Sequence, residues 1–150
     1  NLPLAWRRGL RITGAMTQLP PRFPISEAEI EAVVAEFYAR VRAHQMLGAI
    51  FGAHVTDWPA HEAKIARFWK GSILHQAGYD GSPMMAHRDA QNVKPGMFSV
   101  WLGVFDAVLA EKLPPASARA WSELAHRIGT SLRAGVVDRE TLPGGVPKLR

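Results

Sequence analysis

The 150-residue chain contains no cysteine. That absence removes disulfide frameworks, thiolate metal sites, iron–sulfur clusters and cysteine nucleophiles together. A reducing cytoplasm fits it, and the cytoplasm is the expected location. Long hydrophobic runs are also missing: none approaches the roughly 18–20 apolar residues that cross a bilayer, so no membrane segment is expected. Arg7-Arg8 is followed, from Gly9 to Leu19, by a stretch too short and polar for an export signal. There is no Gly-rich phosphate loop and no nucleophile with a base and an orienting partner, which excludes a conventional hydrolase or nucleotide enzyme.

Charge is unevenly spread. The formal net charge is +5, yet residues 26–134 hold eleven basic and eleven acidic side chains. The flanking segments carry Arg7, Arg8, Arg11, Arg22, Arg139, Lys148 and Arg150 against Asp138 and Glu140, which accounts for the whole excess. No aromatic-basic platform accompanies these cations, so solvated ends are expected and nucleic acid is not. The expected organisation is a flexible basic Pro-containing arm over 1–25, one domain over 26–134 and a Pro/Gly-rich tail over 135–150. Met16 lies inside the arm, which allows translation to begin there.

Helical periodicity dominates the middle. Ser26 and Glu29 form a capping-box pattern, and Ile30, Val33, Val34, Phe37 and Val41 recur behind it at helical spacing, with Tyr38 at the stripe's edge. The first long helix is predicted over about 26–44. Leu47-Gly48-Ala49-Ile50-Phe51 reads as an apolar corner, and Thr56-Asp57 caps a second helix over about 58–76 with Pro59 in its first turn. Gly78, Gly81 and Pro83 enforce a loop before a short helix near 84–91. A third long helix begins near Met97 and ends before Pro114-Pro115, and a fourth spans about 116–134. No segment reads as a strand, so the class is all-α.

Two histidines 26 positions apart stand out. His61 shares an apolar face with Trp58, Ile65, Phe68 and Trp69, where it is either a core histidine with a local partner or a gate over a ligand pocket. Glu62 follows it as in zinc proteases, but position 65 is isoleucine, so that metal motif fails. His87 sits on the short helix between loops, where an imidazole can approach a metal; a satisfied structural role is the alternative reading. His44, His54, His75 and His126 read as surface or structural. Tyr38 and Trp101 are costly to bury without partners for their O–H and N–H.

Phe37-Tyr38-Ala39-Arg40-Val41-Arg42, Leu47 to Phe51, and Trp58-Pro59-Ala60-His61 with Lys64-Ile65 and Phe68-Trp69 resemble group III truncated haemoglobins. Tyr79 to Pro83, His87 and Phe98 to Phe105 continue the likeness, which covers about 26–134. The interval of 14 from His87 to Trp101 fits that family's spacing of proximal histidine and distal tryptophan. The resemblance implies a shortened globin fold, a two-over-two helical sandwich around haem b. By it, His87 would be the proximal iron ligand, with Tyr38, His61 and Trp101 as the distal set. Phe37, Phe51, Ile65, Phe68, Trp69, Tyr79 and Phe98 would line the porphyrin, and Lys64 would reach a propionate.

The function so implied is binding of dioxygen, nitric oxide, carbon monoxide or other small ligands at a His-ligated iron. Tyr38 and Trp101 donors would slow release, which favours oxygen, nitric oxide or peroxide redox chemistry or scavenging over bulk transport. A nitric oxide dioxygenase-like or peroxidase-like activity would require an external reductant and an unidentified reductase. A haem-based gas or redox sensor acting through a partner is the alternative, and a helical bundle without cofactor is the third reading.

Overall fold

The structure is a computed structural model that describes residues 19–79, 81 and 94–141, with side chains of the last helix as far as Val136. Secondary structure among the described residues is helical throughout, as the periodicity predicts. The short helix expected near 84–91, with His87, and the tail after Thr141 lie outside the described residues.

Helix α1 spans Glu27–Ala43. Its predicted cap is formed on both sides: Glu29 N–H donates to Ser26 Oγ, and Ser26 N–H donates to the Glu29 carboxylate. Ile30, Val33, Val34, Phe37, Tyr38 and Val41 are all buried. The expected corner that follows is itself a helix, α2, Gln45–Gly52. His44 starts it by accepting from Leu47 N–H on Nδ1 at 3.2 Å. The turn between α1 and α2 is so close that a Cβ on Gly48 would stand 2.8 Å from the Arg42 carbonyl oxygen, closer than real Cβ contacts allow.

Helix α3, Trp58–Leu74, starts on Asp57, whose carboxylate accepts from Ala60 N–H at 3.0 Å. It ends at His75, held in the left-handed region at φ 61° with its Nε2 3.0 Å from the Pro20 carbonyl oxygen. Helices α4, Met97–Lys112, and α5, Pro115–Thr141, complete the domain. Helix α5 outruns its expected end at 134. Gly135 costs about 1 kcal/mol of helix propensity, but Val136 is fully buried against a cluster with Phe98 and Leu132; packing overrides propensity here.

The helices form two layers. α1 packs on α3 and α4 on α5, and α1 lies across α4, as the two-over-two expectation requires. Phe105 sits where they meet. Trp101 and Trp69 stack on it at 5.8 and 5.7 Å between ring centroids, and Phe37 and Trp121 present edges at 5.2 and 5.4 Å. Polar clasps on the outside tie the helices, one between the layers and two within them. Arg40 on α1 pairs with both carboxylate oxygens of Glu111 on α4, at 2.9 and 2.8 Å. Lys70 on α3 pairs with Glu27 and Glu31 on α1, and Asp106 on α4 accepts from Ser122 Oγ and holds His126 Nε2 on α5. His44, His75 and His126 therefore have the structural roles expected of them.

The described end of the expected arm is fastened down. Phe23 is buried with its ring 6.5 Å from that of Trp121. Arg22 donates from its backbone N–H to the Ile73 carbonyl and from Nε to the Ser72 carbonyl, and Ser117 Oγ donates to the Pro24 carbonyl at 2.8 Å. Proline forbids a helix in 20–25; it does not prevent docking.

Candidate functional site

Successive residues on a helix point about 100° apart, so Phe37 and Tyr38 serve different neighbours although both are buried. Phe37 faces Phe105 and Trp101. Tyr38 faces the start of α3: its ring lies 5.0 Å from His61 at an edge angle of 84°, 5.8 Å from Phe51 and 6.0 Å from Trp58. Phe51, the last aromatic of α2, closes the group at 6.2 Å from His61. Three of the residues singled out in the sequence, Tyr38, Phe51 and His61, thus come together from three helices. Burial, reinforced by the Glu62 carboxylate, pushes the Tyr38 phenol above its ordinary range. Like any phenol, it is neutral at physiological pH, and burial moves it further from ionising.

Trp101 stands one ring away. It is half-buried, stacks on Phe105, and meets the Tyr38 group through Phe37, whose ring is 4.9 Å from Tyr38 and 5.8 Å from Trp101. Trp69 is core, packed between Phe105 and Trp121. Phe98 joins the separate cluster with Leu132 and Val136. His87, the expected metal ligand, lies outside the described residues.

A second group forms further along α3. Phe68 and Tyr79 meet edge to face at 5.2 Å. The ends of the Tyr79 and Lys64 side chains lie close to Gly81: a Cβ there would stand 2.7 Å from the Tyr79 hydroxyl and 3.4 Å from Lys64 Cε. A hydroxyl and a cation thus crowd one point at the edge of the face carrying Ile65 and Phe68. Together with Met97, Val100 and Trp101 on α4, these two apolar side chains pack against the core without being fully covered by it. Partly covered apolar side chains with a lysine at their edge match in chemistry what a flat apolar group bearing carboxylates, such as a porphyrin, would need.

Two contributors are absent from the sequence-derived site. Trp58 completes the aromatic group around Tyr38, and its position three residues before His61 on one helix face was the available signal. Arg42 lies over the Trp58 ring, 5.1 Å from its centre, and no local pattern marks it. An open groove of about 540 Å³ runs between the end of α1 and α4, lined by Arg40, His44, Val100 and Val104 among others; Val100 of the partly covered α4 face borders it, whereas Tyr38, His61 and Trp101 do not line it. Among the described residues no three His, Asp or Glu side chains gather as a metal cluster, and no helix is long and apolar enough to cross a membrane.

No protein-family model matches the chain. A group 3 truncated hemoglobin of Campylobacter jejuni is 34% identical to it over 89 residues, which cover 57% of this chain and 70% of the relative. The crystal structure of a group III truncated hemoglobin from Campylobacter jejuni superposes with a TM-score of 0.72 at 27% identity, over 75% of this chain and 92% of the other.

Proposed function

Because the chain belongs to the group III truncated haemoglobins, we propose that it binds haem b and holds small diatomic ligands on the side occupied by Tyr38, His61 and Trp101. When bound, the haem supplies a redox-active iron with a coordination position for dioxygen, nitric oxide or carbon monoxide. His87 is the proposed metal ligand from the protein. Ile65, Phe68 and Phe51 offer apolar contact, and Lys64 with the Tyr79 hydroxyl offers the polar rim for propionates.

One observation carries the reading: a buried phenol, kept neutral, set edge-on to a histidine 5.0 Å away inside an otherwise apolar group. Burying a phenol and an imidazole side by side among apolar rings costs solvation that the packing of a plain helical bundle does not require. Beside a polar ligand the phenol is a donor. Tyr38 orients and retains the ligand, His61 stands where it can donate or step aside, and the surrounding rings exclude water. Retention by donors favours redox chemistry or scavenging over delivery. That chemistry draws on a reductase as electron source.

The test is haem addition to the purified protein followed by visible absorption. A saturable Soret band at one haem per chain is expected, and the reduced holoprotein should consume nitric oxide in the presence of dioxygen. A chain that produces no saturable band is not a haem protein, and consumption no faster than that by free haem would leave only ligand storage.

A further inference from the structure

Helix α3 is anchored unequally. Its buried residues, Ala66, Trp69 and Ile73, all lie in the C-terminal half. The first two turns, which carry His61, rest on half-buried side chains: Trp58, His61, Glu62 and Ile65. An element end with few buried apolar contacts opens locally at low cost. What spans it is Arg42. This side chain leaves α1 one turn after Tyr38, donates from Nε toward the Tyr38 carbonyl at 3.4 Å, and reaches Glu62 Oε2 with Nη2 at 3.4 Å. Its guanidinium also covers the Trp58 ring at 5.1 Å. Trp58 and Glu62 are four residues apart on one face, and His61 lies between them in sequence, so a single arginine grips the turn on both sides of that histidine.

We infer that Arg42 is a positioning residue, a strap that holds the first turns of α3 against α1 and so governs how readily small ligands pass between His61 and Tyr38. The passage half of this statement rests on the ligand-binding reading above; the strap half does not. Arginine suits the task because its planar fork stacks on an indole while pairing with a carboxylate, which lysine cannot do equally well. The contacts are long and partly solvated, with 45% of the Arg42 side chain and 21% of the Glu62 side chain exposed. A strap of this kind yields on thermal motion instead of locking the helix.

Amide hydrogen exchange on the full chain without added haem tests the strap. In Arg42→Ala, exchange across 58–65 should quicken by about fivefold or more while 66–74 stays at the parent rate, given the usual strength of one exposed ion pair plus one cation–π contact. Arg42→Lys should fall between, and raising ionic strength to about 1 M, where charges are screened beyond about 3 Å, should quicken the parent but not Arg42→Ala. Equal exchange in parent and Arg42→Ala overturns the strap. Carbon monoxide rebinding after flash photolysis of the haem-loaded protein then tests passage: association should quicken several-fold in Arg42→Ala while oxygen dissociation changes less. Quickened exchange with unchanged association overturns the role in passage. A parent that takes up no haem overturns the ligand-binding reading and passage together, while the exchange comparison still decides the strap.

Discussion

Tyr38 can be separated from the aromatic residues around it because it has a polar atom to lose. Tyr38→Phe keeps the ring against Phe51, Trp58 and His61 and removes only the donor. A hydrogen bond to a charged acceptor contributes about 1.5–3 kcal/mol, so oxygen dissociation from the haem-loaded protein should quicken by roughly tenfold or more. Stopped-flow displacement by carbon monoxide reads it. Carbon monoxide release should respond less, and equal effects on both ligands would mean that the ring, not the hydroxyl, matters. Residue-scale legibility followed the same division. Tyr38 and His61 stood out because each is a polar side chain on or beside an apolar stripe, whereas Phe51, in an apolar corner, was singled out only through the family resemblance. Trp58 was visible on the apolar face of His61 but was not carried into the site, and Arg42 was not readable, since a cation–π contact between helices leaves no trace in spacing. The sequence likewise could not tell that Trp69 serves the core and that Phe98 joins Leu132 and Val136.

Elements were legible where their ends carry local chemistry. Ser26 with Glu29 and Asp57 with Pro59 mark the starts of α1 and α3 within a residue of their observed positions. α2 escaped notice because it is eight residues long and capped by a histidine, which stands outside the usual N-cap set. α5 was cut short because the rule that glycine ends a helix ignores what Val136 can bury. Between elements, the Arg40–Glu111 clasp makes a pH prediction. Arg40 holds the Glu111 carboxyl below its ordinary range, chiefly through their hydrogen bonds. A depressed folded pKa stabilises above the unfolded value, and the contribution is lost as pH falls through the folded one. Thermal unfolding of the parent should therefore exceed that of Glu111→Gln at neutral pH, with the difference closing only in acid below the usual carboxylate range. A difference that persists unchanged into strong acid would assign it to shape instead of charge.

The molecule as a whole is held by the ring cluster at Phe105, and Phe23 extends that cluster beyond the helices. Phe23→Ala should lower stability by about 3 kcal/mol, the lower end of the range for a buried phenylalanine, because Phe23 keeps 8% of its surface exposed at the rim. Urea unfolding measures this, and a loss under about 1 kcal/mol would mean that 20–25 is loosely attached. The neutral charge balance of 26–134 and the helical class were readable from composition and period alone. The docking of 20–25 was not, because proline announces only that a helix is absent.

The central claim is that this fold holds a haem through His87, with Tyr38 and His61 on the ligand side. Its most direct test is the visible absorption of the haem-loaded parent beside His87→Ala, each with and without added imidazole, because the proximal imidazole is the protein's own bond to the iron. The account predicts that His87→Ala loses stable haem retention or the parent's ferrous spectrum, and that imidazole restores it. A His87→Ala protein that keeps the parent's spectrum and haem affinity without imidazole would contradict it.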